Sequence, residues 1–230
     1  MADEKDWLTG AAGRRFIASY SGGKDSSLAL YRAMQTGKAI GIIVMLEEEG
    51  QRSRSHGMPP AIIQAQADAI GLPVYTAATS WDDYERKFTE LLIQAREQGA
   101  EVLITGDLDV PEEDCWHERV AGGAGLVLGM PLWRMDHVEA VTAFIDLGFI
   151  AVVVTVNLSL GMSERDLGRQ LDRDFVQELI SRGIDPCGEG GEFHTTVIDG
   201  PLFRHPVPVR RGDIARHGKY AFLPLELQLQ

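Results

Sequence analysis

The chain has 230 residues, in which 34 Asp and Glu outweigh 22 Lys and Arg to leave a formal charge of -12. That balance argues against a polyanion held across a broad basic surface, while a local basic pocket stays open. Apolar residues at 44% and charged residues at 24% are ordinary for a globular protein with a full core. The first ten residues carry Asp3, Glu4 and Asp6 with no apolar centre, so they do not read as a signal peptide. The longest apolar run, Phe149 to Val156, is too short to span a bilayer. Cys115 and Cys187 stand far apart with no metal-type spacing, and the reading is a reduced, cytoplasmic protein.

Along the chain, short β-rich runs alternate with helical segments. Phe16 to Tyr20 reads as a strand, Asp25 to Gln35 as a helix stopped at Gly37, and Ile40 to Leu46 as a strand covered on both faces. Pro60 to Ile70 is a helix ended by Gly71, and Val74 to Thr79 is a strand. Asp82 to Gln98 is a long helix capped by Ser80 and closed at Gly99, with Val102 to Thr105 as the next strand. Asp136 to Leu147 is helical and Phe149 to Val156 a buried strand. Ser163 to Arg182 reads as one helix, with Ser163 as N-cap, Gly183 as stop and Leu171, Phe175, Val176 and Leu179 as its core stripe. Strand–helix alternation of this kind predicts an α/β fold with a parallel sheet and helices on both faces. After Ile184 glycine and proline become frequent, and Thr195 to Ile198, Val207 to Arg210 and Tyr220 to Leu225 suggest short antiparallel strands. The expected organisation is a tail over 1–14, a nucleotide-binding domain over 15–130 and a smaller α+β substrate-binding domain over 131–230.

The segment Ser21-Gly22-Gly23-Lys24-Asp25-Ser26 falls where a strand ends and a helix begins, the ligand edge of an open α/β sheet. Two glycines let the backbone turn tightly and aim N–H groups at one point. Two hydroxyls, a lysine and the helix N-terminus complete a pocket suited to a polyphosphate. The spacing is not that of a Walker A loop. SGGKDS resembles the PP-loop signature of the N-type ATP pyrophosphatases. That resemblance implies a HUP-like fold, cleavage of ATP between its α and β phosphates, and phosphate contacts from Ser21, Gly22, Gly23, Lys24, Asp25 and Ser26. It also makes Asp25 a candidate Mg²⁺ contact.

Further segments narrow the match: Ser55-His56-Gly57 with Gln64-Ala65-Gln66-Ala67, Thr105-Gly106-Asp107 with Trp116-His117-Glu118-Arg119, Leu167-Gly168-Arg169, and Asp185 through Thr195 ending in Asp199-Gly200-Pro201-Leu202-Phe203. Together they resemble the diphthine–ammonia ligase family, and His194, the DPCGE lead-in and the DGPLF exit are similar to its bacterial-type branch. The resemblance implies an AMP-forming ligase that uses ATP and Mg²⁺, adenylates a carboxylate acceptor, amidates it with ammonia and releases pyrophosphate. Implied catalytic residues are Lys24, Asp25, Glu192 and His194. His56, Gly106 and Asp107 would join the loop around the nucleotide. Glu189, Gly190, Gly191, Glu192, Phe193, His194 and Thr195 would meet the acceptor, with Phe193 and the carboxylates suited to a quaternary ammonium group.

The residues alone leave alternatives standing. Asp107 could cap a helix, Arg169 could be an ordinary surface charge, and Trp116 reads more readily as packing. The run Asp109, Glu112, Glu113, Asp114 is acidic. An ATP- or AMP-sensing module without ligase chemistry and a tRNA-modifying PP-loop enzyme are the rival readings. No membrane segment and no extensive nucleic-acid surface are expected, the acceptor is an unidentified carboxylate, and a homo-oligomer stays open.

Overall fold

A computed structural model describes residues 7–113 and 115–228. Residues 1–6 of the expected tail, and Asp114 of the acidic run, lie outside the described residues. The order begins β1 (Arg15–Ser19), α1 (Lys24–Met34), β2 (Lys38–Leu46), α2 (Pro60–Ile70), β3 (Val74–Ala78), α3 (Tyr84–Glu97) and β4 (Val102–Ile104). It continues with α4 (Trp116–Gly123), β5 (Val127–Gly129), α5 (His137–Asp146), β6 (Ile150–Asn157) and α6 (Arg173–Ser181). Five short strands follow: β7 (Phe193–Asp199), β8 (Val209–Arg211), β9 (Ala215–His217), β10 (Tyr220–Phe222) and β11 (Leu225–Leu227).

The chain forms two compact units. The first holds the residues through Ser21, then Asp25–Gln51 and Leu72–Arg134. Its parallel sheet has the order β3-β2-β1-β4-β5, a doubly wound arrangement flanked by helices, as the HUP-like expectation required. The register is carried by near-continuous apolar runs. Ile17, Ile43, Leu103 and Leu128 of the sheet pack with Phe88 and Leu92 of α3 and Val120 of α4. Trp7 meets Trp133 edge to face, with ring centroids 4.6 Å apart. Two elements here were not anticipated: α4 and β5 are only eight and three residues long, too short to show a period. In α3 the expected Ser80 cap is one turn too early. The helix starts after Asp83, and Ser80 instead accepts the Asp83 N–H in the preceding turn.

The second unit comprises Gly22–Lys24, Arg52–Gly71 and the chain from Met135 onward. Its four-stranded sheet runs β7-β6-β10-β9 and is antiparallel throughout, with a two-stranded β11-β8 ribbon beside it in sequence. The apolar run expected as a strand is β6, central in this sheet. Helix α2 ends at Gly71, whose left-handed φ of 81° returns its N–H to the Ala67 carbonyl.

The helix expected from Ser163 to Arg182 is corrected. Ser163 caps only a three-residue 3₁₀ turn, Glu164–Asp166, through a reciprocal bond with Asp166. Gly168 then turns with φ 76°, and the chain stays extended until Asp172 caps α6 by accepting the Phe175 N–H at 2.9 Å. Leu171, Phe175, Val176 and Leu179 are all buried, so the apolar spacing was correct for burial and misleading for helix extent. Arg169 lies over the Phe175 ring at 4.0 Å and pairs with Glu178 at 2.6 Å, contacts that anchor it to α6. Asp172→Ala is expected to cost about 1 kcal/mol by orphaning the first turn of α6. A urea midpoint unchanged from wild type would contradict this.

Candidate active site

The phosphate-type loop leaves β1 after Ser19 and enters α1 at Lys24. Gly22 takes φ 82°, a conformation side chains resist, and a Cβ there would lie 2.7 Å from Gln66 Oε1. The Gly22 carbonyl accepts two bonds, from the Val197 N–H at 2.9 Å and from Gln66 Nε2 at 3.1 Å. Gln66 is fully buried and its Nε2 also donates to the Val197 carbonyl at 2.7 Å. Two carbonyl acceptors on one nitrogen fix the orientation of the amide. The Lys24 N–H donates to Thr195 Oγ1 at 3.1 Å, so a hydroxyl of β7 serves the first turn of α1.

His56 fills the space beside Gly23, where a Cβ would collide with the imidazole. Its Nδ1 donates to the Thr195 carbonyl at 2.9 Å, which assigns the proton to Nδ1 and leaves Nε2 as an acceptor. The His194 ring stacks on it at 4.7 Å between centroids and 26° between planes. Desolvation, followed by the His194 and Lys24 charges, lowers His56 to a pKa of about 3 despite the bond to Thr195. Desolvation and then Lys24 lower His194 to about 4. Both imidazoles are therefore neutral at pH 7. Lys24 itself is buried, its ammonium 5.9 Å above the Phe193 ring. Phe193 is 2% exposed, so its ring is committed to this packing and is not an open face for a quaternary ammonium group.

The acidic glycine turn before β7 is built by Asp185, the first residue of the Asp185 to Thr195 motif, together with His137 and Asn157, which sequence reasoning did not single out. Asp185 accepts the N–H groups of Cys187 and Glu189 at 3.0 and 2.9 Å and pairs with His137 at 2.9 Å. Asn157, buried at the end of β6, donates its N–H to the Glu192 carbonyl at 2.7 Å and reaches the Gly191 carbonyl at 3.4 Å. Gly188 and Gly191 have φ of 71° and 81°, and a Cβ on Gly188 would press within 2.9 Å of the Phe193 carbonyl. Glu192 Oε2 is buried with no hydrogen-bond partner, an orphan carboxylate oxygen beside Gly190. Asn157 lies one residue past the expected strand and Gln66 stands in the Gln64-Ala65-Gln66-Ala67 segment on a helix, and nothing in either pattern announces a tie to a loop.

In the first unit, Ser21 and Ser26 join their hydroxyls at 3.0 Å, and buried Tyr20 meets Ser27 at 3.2 Å. Gly106 follows β4 so closely under α1 that a Cβ would lie 2.8 Å from backbone atoms of Asp25 and Ser26. Asp107 faces His117 at 3.5 Å, and the buried Thr105 hydroxyl has no partner. Trp116 stacks on Phe88 and donates Nε1 to Glu85, which also pairs with Arg119. Among the described residues no group of three or more His, Cys, Asp or Glu could hold a metal.

Gly106→Ala sets a methyl group against backbone that cannot move aside, and should destabilise the fold by about 1–3 kcal/mol. Gly122→Ala, on α4 with nothing within 4 Å of the new Cβ, should stabilise by up to about 1 kcal/mol. Thermal midpoints of the two variants that move in the same direction would contradict this pair of expectations.

Family models for the diphthamide synthase N-terminal domain and C-terminal domain match residues 14–128 and 136–228. The chain belongs to the diphthamide synthase family. Membership makes it an enzyme of the ligase type with a PP-loop fold. Curated members similar to it include the diphthine–ammonia ligases of Bos taurus and Homo sapiens, each 24% identical over 94% of this chain and 92% of their own length. The Schizosaccharomyces pombe diphthine–ammonia ligase is 25% identical over 92% of this chain, which spans only 39% of that longer protein. A solved chain described as a predicted subunit of tRNA methyltransferase from Methanocaldococcus jannaschii overlays with TM-score 0.44 and 15% identity. That overlay covers 81% of this chain and 98% of the other. No helix of the described residues is long and apolar enough to cross a membrane.

Proposed function

We propose that the protein is an ATP-dependent amide ligase, with residues 15–130 as the nucleotide domain and 131–230 as the acceptor domain. The observation that carries this reading is the direct bonding of Gly22 and Lys24 to Val197 and Thr195. A phosphate-type loop and the glutamate-rich segment are held in one hydrogen-bonded arrangement. In the reaction an acceptor carboxylate oxygen attacks the α-phosphorus of ATP and the bond to pyrophosphate breaks. The nitrogen lone pair of ammonia then attacks the acyl carbon, AMP departs, and the nitrogen loses a proton.

The residues fit a polyphosphate: a tight glycine turn with Gly22 at φ 82°, a helix N-terminus, and the ammonium of Lys24. The loop Ser21, Gly22, Gly23, Lys24, Asp25 and Ser26 would hold the phosphates, with His56, Gly106 and Asp107 around the nucleotide. Lys24 stabilises charge developing on departing pyrophosphate. Mg²⁺, held chiefly by phosphate oxygens and water with Asp25 contributing, would neutralise the same charge. Neutral His194 has an acceptor nitrogen that can hydrogen-bond the attacking ammonia, and Glu192 presents its orphan oxygen on the same turn for the proton that the nitrogen loses. Glu189, Gly190, Gly191 and Thr195 would line the acceptor, an unidentified carboxylate on a small molecule or a protein side chain.

Incubation with α-labelled ATP, ammonium and candidate acceptors should yield labelled AMP. Formation of ADP would refute the reading. Nucleotide binding that is tight yet never consumed with any acceptor would favour a sensing module.

A further inference from the structure

The second unit contains a small cleft of ≈ 70 Å³ whose lining, His56 apart, carries none of the roles assigned above. His56, Met58, Val154, Thr155, Phe222 and Leu225 form its walls, and the exposed Arg52 stands among its lining residues. At about 30 Å³ for each water in the liquid, this is room for roughly two water-sized molecules and no nucleotide or peptide. The sheet places the cleft against the site. Thr155 is the register partner of both Phe222 on β10 and His194 on β7. His56 stacks on His194 and packs against Gly23 of the loop. His56 therefore lines the cleft while the Cε1–Nδ1 side of its ring lies against Gly23 of the phosphate-type loop.

Three features select the occupant. Its size is that of a molecule with one or two heavy atoms. Its walls are mainly apolar, interrupted by the Thr155 hydroxyl and by His56, whose Nε2 is left as an acceptor once Nδ1 binds the Thr195 carbonyl. The nearest charge shown to act there is that of Lys24, which disfavours the protonated form of both histidines. A cation is disfavoured in such a place, while a neutral hydrogen-bond donor is accepted.

We propose that this cleft binds neutral ammonia, donating a hydrogen bond to His56 Nε2, and admits it to the site from the side of β6 and β10. The inference rests on the amide-ligase reading, for which ammonia is the nitrogen donor. The Lys24 charge and the apolar walls disfavour ammonium there, so capture of nitrogen favours the deprotonated form before the acyl carbon is reached.

The test is a titration of protein carrying ¹⁵N-labelled histidine, with the His56 signals assigned by their loss in His56→Gln. Ammonium chloride added at alkaline pH should shift the Nε2 signal saturably, and the shift should shrink as pH falls and ammonia protonates. Methylamine should compete, whereas tert-butylamine, too large for the cleft, should leave the signal in place. Phe222→Trp, which fills the cleft from β10, should remove the response without altering the circular dichroism spectrum. If that variant does not fold, the amine size series on the wild-type protein decides alone. No saturable shift, an equal shift with potassium chloride, or an equal shift with tert-butylamine would overturn the proposal. Amine binding with no AMP formed from any acceptor would count against the ligase reading only. AMP formation without the His56 response would count against the cleft only.

Discussion

Replacing Lys24 by Met should lower AMP formation by about 10²–10³-fold, the loss seen when one preorganised donor to a developing anion is removed. The lysine is 5% exposed, so its charge acts where water screens it little. Met keeps the unbranched stem over Phe193 and so separates loss of charge from loss of packing. The same substitution has a second, independent readout. Lys24 is one of the charges that lower His56 and His194, so both imidazoles should titrate at higher pH in Lys24→Met. Full turnover in the variant would refute the assignment of Lys24, and unmoved histidine titrations would refute the proximity of its charge.

The two histidines should also make the fold sensitive to mild acid. Their folded pKa values of about 3 and about 4 lie below the unfolded value of 6.5. Between those limits the unfolded chain binds protons that the native chain refuses. The stabilising contribution is therefore fully present above pH 6.5 and is lost progressively as pH falls toward the folded values. Each unit of separation corresponds to about 1.4 kcal/mol per group, reduced here because both rings keep an exposed edge. A loss on the order of several kcal/mol between pH 7.5 and pH 4.5 is expected. Urea unfolding at those two pH values measures it, and His194→Gln should flatten the slope. A stability curve flat across this range would mean that the imidazoles are solvated.

How much of this was legible in the sequence depended on what enforced each feature locally. The first sheet was readable because Phe16 to Ala18, Ile42 to Leu46 and Val102 to Ile104 are apolar runs buried on both faces. Helix α2 was readable to the residue because Pro60 opens it and Gly71 closes it with a positive φ. The segment 163–182 was not, because Leu167, Leu171 and Phe175 repeat at helical spacing whether or not a helix joins them. The positive φ of Gly168 is a backbone event that the apolar pattern does not register. At the site, the loop and the glutamate-rich turn stood out because glycine beside charge is unusual within a strand–helix alternation. The supports did not. Gln66 and Asn157 act through bonds to distant backbone, and such partners are set by the sheet rather than by neighbours in sequence, while Asp185 closes its own turn and reaches across only to the His137 side chain. Phe193 illustrates the reverse error: an aromatic within a polar motif invites a binding role, yet burial against Lys24 uses its ring.

The ties on Gly22 and Lys24 also impose an order on the birth of the protein. The loop leaves the ribosome early, but Lys24 bonds to a residue 171 positions later and Gln66 to one 131 positions later. Closing contacts of that separation is slow and entropically costly. A nascent chain therefore carries the SGGKDS segment for most of its synthesis without the partners that shape it. On the proposed reading, competence to hold ATP would arrive only when β7 is in place.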